Sequence, residues 1–159
     1  YENVGDAGKP LFERTDLLDG VVVGDADSTP SLVDIHGDGA IDLVVGSSGG
    51  KLVYYRNVGS MGFEKVEGAA DDPFAGIDVG KNSAPHFSDL DDDGDVDLVI
   101  GAEDGKLYYY QNVGSSTEPV FVNTTVNPFA NVSVGYYSSP ALADLDGDGD
   151  LDLFLGERG

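Results

Sequence analysis

Three copies of one acidic nine-residue pattern, each running into an apolar stretch closed by glycine, constrain this chain more than anything else in it. The copies are Asp34-Ile35-His36-Gly37-Asp38-Gly39-Ala40-Ile41-Asp42, Asp89-Leu90-Asp91-Asp92-Asp93-Gly94-Asp95-Val96-Asp97 and Asp144-Leu145-Asp146-Gly147-Asp148-Gly149-Asp150-Leu151-Asp152. Their first aspartates, Asp34, Asp89 and Asp144, lie 55 residues apart both times. The runs that follow are Leu43-Val44-Val45-Gly46, Leu98-Val99-Ile100-Gly101 and Leu153-Phe154-Leu155-Gly156. A fixed period of this length marks a repeat array, in which each unit buries its apolar face against the next.

Clustered carboxylates need a reason to stay close. Two unit charges about 4 Å apart repel by about 4 kcal/mol at an effective dielectric near 20. A loop holding several would splay unless a cation lay among them. Oxygen donors at i, i+2, i+4 and i+8 around a glycine turn suit a hard ion of flexible geometry, and calcium fits better than magnesium, which keeps more water. An EF-hand would carry a bidentate Glu at position 12. Val45, Ile100 and Leu155 stand there instead, so the loop is a strand-to-strand turn of another kind. An Asp-Gly hairpin alone would need only one or two acids. In the first copy His36 occupies a carboxylate position and Ala40 can offer only its backbone carbonyl. Three calcium sites are therefore expected, the first the weakest.

Between the loops, Tyr1-Glu2-Asn3-Val4-Gly5 matches Tyr55-Arg56-Asn57-Val58-Gly59 and Tyr110-Gln111-Asn112-Val113-Gly114. Val21-Val22-Val23-Gly24 corresponds to Ile77-Asp78-Val79-Gly80 and Val132-Ser133-Val134-Gly135. Pro30, Pro85 and Pro140 each open an alternating segment that predicts a half-buried strand. The almost wholly apolar run after each loop predicts a strand covered on both faces. A glycine turn and a tyrosine-rich strand such as Lys106-Leu107-Tyr108-Tyr109-Tyr110 follow. About four antiparallel strands per repeat, with no helical periodicity, predict an all-β fold of β-propeller-type blades. The array 1–159 divides at the repeat period into 1–55, 56–110 and 111–159, the last incomplete at its C-terminal end. Propellers close with four to eight blades. Three blades cut within a blade predict either a window of a longer chain or head-to-tail association of copies into a ring or filament.

The Asp-x-Asp-x-Asp-Gly-Asp-x-Asp loop with its apolar strand resembles the FG-GAP and VCBS repeats, which include the calcium-binding blades of integrin alpha-chain propellers. The resemblance covers all three copies, and the loop is its most specific part. It implies calcium held by side chains at positions 1, 3, 5 and 9, with a backbone carbonyl near 7. Carried over, the ligands are Asp89, Asp91, Asp93, Asp95 and Asp97, then Asp144, Asp146, Asp148, Asp150 and Asp152. In the first copy only Asp34, Asp38, Ala40 and Asp42 fit. The family's Phe-Gly and Gly-Ala-Pro elements survive loosely as Val79-Gly80 and Ser83-Ala84-Pro85, closer to the VCBS branch than to integrins.

Net charge is −22, but 14 of the 30 acids lie in the three loops, so much of the imbalance belongs to the expected metal sites. The acidic remainder and the scattering of only eight Lys and Arg exclude nucleic acid and anionic membrane surfaces as partners. No cysteine is present, which excludes disulfides and thiolate sites. Weak modular calcium sites match millimolar extracellular calcium, so a secreted or cell-surface location is expected. Asn123-Thr124-Thr125 and Asn131-Val132-Ser133 fit the N-glycosylation pattern. No apolar run reaches the ~18 residues of a membrane span and no signal peptide is recognised. The start at Tyr1 suggests a chain processed or cut from something longer.

Two non-catalytic functions follow: a calcium-stabilised structural or adhesive module that self-associates, or a glycan-binding propeller in which Tyr54, Tyr108, Tyr136 and Tyr137 stack on sugars. His36 and His86 are the only histidines, cysteine is absent, and no nucleophile elbow or phosphate-cradling loop appears, so no enzyme activity is expected. His86 reads as an ordinary strand residue.

Overall fold

The computed structural model describes residues 2–13, 21, 27–59 and 62–158. Tyr1 and the stretch Val22-Val23-Gly24 of the first apolar copy lie outside them. The described chain is all β: β1 (Glu2–Asn3), β2 (Phe12–Glu13), β3 (Thr29–Val33), β4 (Asp42–Gly46), β5 (Leu52–Asn57), β6 (Phe63–Lys65), β7 (Ala84–Ser88), β8 (Asp97–Gly101), β9 (Leu107–Asn112), β10 (Phe121–Asn123), β11 (Ser139–Ala143) and β12 (Asp152–Gly156). Strands β3 to β6 form one four-stranded antiparallel meander and β7 to β10 another, flanked by the pairs β1–β2 and β11–β12. The two meanders are propeller-like blades, and the sheets do not close on themselves. No helix among the described residues is long and apolar enough to cross a membrane.

Register repeats from sheet to sheet. Leu43 pairs with Tyr55 and Asn57 with Phe63; Leu98 pairs with Tyr110 and Asn112 with Phe121. Because side chains alternate faces, one fixed register puts the same apolar positions inward each time. Strands β4 and β8 are buried along their whole length, as their unbroken apolar sequence predicts. Strand β12 departs from that expectation. Its residues alternate between exposed and half-buried, and Phe154 is 61% exposed. The reason is pairing and packing: β4 and β8 have a strand on each side, whereas among the described residues β12 pairs only with β11.

The sheets adhere through two devices. Apolar packing joins Tyr54, Phe74, Phe87 and Phe121, with Phe74 stacked on Phe121 at 5.1 Å and edge-on to Tyr54 at 5.6 Å. A polar clamp then ties the turn after the apolar strand to the segment leading into the next sheet. Ser138, 1% exposed, donates from Oγ to the Lys106 carbonyl at 2.7 Å and accepts the Ala102 N–H at 2.8 Å. Ser83 does the same 55 residues earlier, with the Lys51 carbonyl at 2.8 Å and the Ser47 N–H at 2.9 Å. The backbone bonds Val79 N to Gly50 O and Val134 N to Gly105 O, both 3.0 Å, repeat alongside.

His86 is more than a strand residue. It lies half-buried on β7, and its Nε2 accepts the Leu142 N–H of β11 at 3.1 Å, linking two sheets. Burial pushes the imidazole below its usual value of 6.5. The charged groups on the strands packed against β7 are Asp97 on β8 and Asp42 on β4; β3 and β11 carry none. Because the folded pKa is depressed, this contribution to stability is complete above the unfolded value near 6.5. It is lost as pH falls from there through the folded value. Thermal unfolding of the native chain should therefore weaken below pH 6.5. His86→Gln, whose amide oxygen can accept the same N–H, should lose that pH dependence while its carboxylate-driven weakening at lower pH remains.

Candidate metal centre

Glycine and aspartate shape each acidic loop before any ion is considered. Position 4 is left-handed in all three copies, at Gly37 (φ 61°), Asp92 (φ 58°) and Gly147 (φ 79°), as is position 6, at Gly39, Gly94 and Gly149. Aspartate is among the few side chains tolerated there. The first aspartate then gathers the turn's N–H groups. Asp89 accepts from Asp93 N at 3.2 Å and Gly94 N at 2.9 Å, and Asp34 accepts from Asp38 N at 3.2 Å and Gly39 N at 2.8 Å. Asp144 accepts from Gly147 N at 2.7 Å and Gly149 N at 3.2 Å.

In two loops this folding brings carboxylates together. One oxygen from each of Asp89, Asp91 and Asp93 lies within 4.8 Å of the others, and Asp144, Asp146 and Asp148 do the same. The donor set is all hard oxygen, which fits calcium and fits softer metals poorly. Asp89 is half-buried and the other five are exposed, so water can complete a coordination shell. Asp95 and Asp150 stay outside these groups; their N–H groups donate to Asp93 and Asp148 respectively. In the first loop Asp34 and Asp38 are not joined by a third ligand in this way, and the Ala40 N–H donates to Asp38 Oδ1 at 2.8 Å.

The ninth residue is placed differently. Asp97 is 1% exposed; its Oδ1 accepts the Asn112 N–H at 2.7 Å and its Oδ2 the Tyr109 hydroxyl at 2.9 Å. Asp42 repeats the arrangement with Asn57 N at 2.8 Å and Tyr54 Oη at 2.9 Å. Burial pushes the Asp97 carboxyl up, opposed by these donors, and burial beside that carboxylate raises the Tyr109 hydroxyl. The residue thus anchors the loop's end to the third strand of its sheet. Asp152 is exposed, and its Oδ2 accepts the Leu145 N–H at 3.2 Å.

The supporting residues on β5 and β9 carry a signal that loop-centred reading passes over. Tyr54-Tyr55-Arg56-Asn57 and Tyr109-Tyr110-Gln111-Asn112 repeat at the loop's own 55-residue period. Within them, Gln111 Nε2 donates to Asp91 Oδ2 at 2.6 Å.

Other expected sites are scattered. Asn123 at the end of β10 and Asn131 in a turn are both exposed. Of the four tyrosines considered as sugar platforms, Tyr54 is 1% exposed and inside the core, and Tyr108 is half-buried with its hydroxyl donating to Asp104. Tyr136 and Tyr137 are at the surface, with the Arg158 guanidinium over the Tyr137 ring at 5.6 Å.

Among curated proteins, none matches the chain. A family model does, over residues 89–155, and its description is an FG-GAP-like repeat. Its span opens on the first aspartate of the second loop and closes on the apolar strand after the third. Two acidic loops and the strands β8 to β11 thus fall inside the matched span, and residues 89–155 of this chain are similar to an FG-GAP-like repeat.

Proposed function

We propose that this chain is a non-catalytic, calcium-binding repeat module of the extracellular space, with a structural or adhesive role and a capacity to assemble into a ring or filament. The single observation that carries the reading is the convergence of three aspartate oxygens in each of two successive loops. Repulsion among them is relieved by a divalent ion, so the ion stabilises the fold that creates its site. The FG-GAP-like match supports a structural role, since such repeats serve as scaffolds. Blades phased at 1–55, 56–110 and 111–159 give the counting unit. Partners on this reading are further repeats or other copies of the chain.

Thermal unfolding during calcium titration tests it. Ions that bind only the folded form raise stability by about 2.7 kcal/mol per site at a hundredfold excess over Kd. The melting temperature should climb with calcium and drop with chelator, and light scattering on the same samples should show mass above one chain when calcium is present. A melting temperature unmoved by either addition defeats the proposal.

A further inference from the structure

The first acidic loop differs from the other two in a way the repeat itself explains. Positions related by 55 residues can be compared atom by atom. In the second copy, position 3 is Asp91, which joins Asp89 and Asp93 and is steadied by Gln111. In the first copy position 3 is His36, and Gln111 is replaced by Arg56. His36 Nε2 lies 3.0 Å from the Arg56 guanidinium and His36 Nδ1 lies 3.3 Å from Asp42 Oδ2.

A guanidinium can only donate. His36 Nε2 therefore presents its lone pair to Arg56, and Nδ1 keeps its hydrogen for Asp42. Neither nitrogen is left for a metal. Asp42 is equally committed, to Asn57 on one oxygen and to Tyr54 and His36 on the other. That leaves Asp34 and Asp38 with the Ala40 carbonyl, one carboxylate short of the three that converge in each of the other two loops. The charge follows the same logic. The first loop holds three aspartates, against six in the second and five in the third. The Arg56 guanidinium donates a hydrogen bond to the Tyr54 hydroxyl oxygen and stands beside the Asp42 and Asp71 carboxylates. Arg56 and His36 also line a cleft with Asp71, Asp72 and Glu118, so the same cation faces acids of the adjoining segments.

We infer that the first loop has exchanged its metal ion for a built-in cation, the Arg56 guanidinium relayed through His36, so that the chain binds two calcium ions and not three. The inference rests on the calcium reading above, and the fit between this loop and calcium fails where the other two succeed. Its consequence is a first sheet whose acidic turn is indifferent to calcium, beside two turns that respond to it.

Equilibrium dialysis of the full chain against calcium, with circular dichroism to verify folding, tests this. The native chain should bind two ions, and Asp34→Asn should still bind two. Asp89→Asn and Asp144→Asn should each lower the count by one. The double variant His36→Asp with Arg56→Gln, which restores the second loop's pattern, should bind three. A lower count in Asp34→Asn, or a folded double variant that stays at two, overturns the inference. Absence of bound calcium in the native chain defeats the calcium reading itself, an outcome distinct from either of those.

Discussion

Replacing Gly101 with alanine is expected to loosen the third sheet from the second and to cost about 3 kcal/mol, at the upper end of what overpacking does. Gly101 closes β8 where the chain entering β11 passes over it. A Cβ at this position would press into the Ser138 carbonyl group and lie 2.9 Å from Pro140 Cδ. Those atoms belong to a stretch fixed by the buried Ser138 clamp, so backbone would have to move and not a flexible side-chain tip. Gly46 meets Ser83 and Pro85 in the same manner. Gly156 holds the same repeat position, yet its nearest neighbours stand at 3.6 and 3.7 Å, ordinary contact distances. Gly156→Ala should therefore change stability by less than about 0.5 kcal/mol. Urea unfolding of the two variants checks this, and equal effects would show that the close approach does not matter.

Asp97→Ala should be nearly as severe, and severe even in chelator. The substitution leaves the Tyr109 hydroxyl and the Asn112 N–H without their acceptor in a buried setting. Each stranded donor costs about 1–3 kcal/mol, so a loss of about 2–4 kcal/mol is expected. Tyr109→Phe removes one of the two bonds and should cost about 1 kcal/mol. Measuring both variants and their combination in chelator isolates the coupling from any effect of an ion. A loss confined to calcium-containing buffer would mean that Asp97 acts only through the metal. The same substitution at Asp42 should be at least as costly, since Tyr54 and Asn57 bond it in the same way and His36 Nδ1 adds a contact at 3.3 Å.

Much of this molecule can be read along the chain because its information is periodic. Strand type follows from local pattern: the glycine-closed run Leu98-Val99-Ile100-Gly101 cannot be a helix of useful length, and its β-branched residues suit a pleated sheet. The loops are legible for the same reason, since glycine or aspartate at position 4 and glycine at position 6 are the residues that accept a left-handed backbone. The roles of His36 and Arg56 are harder to see. They stand 20 residues apart, and only the pairing of β4 with β5 brings the first loop next to Arg56. His86 is similar: its acceptor role depends on Leu142, 56 residues away in the next sheet.

By itself the sequence determined the repeat period, the all-β strands and the acidic turns, because each depends on residues within a few positions of one another. Tertiary structure decided which apolar strands are covered, which aspartates converge and which become anchors. Leu153-Phe154-Leu155 has the same local pattern as Leu98-Val99-Ile100, yet one is half-exposed and the other wholly buried. Burial and ligation are properties of neighbours, and a strand acquires its neighbours only when sheet packs on sheet.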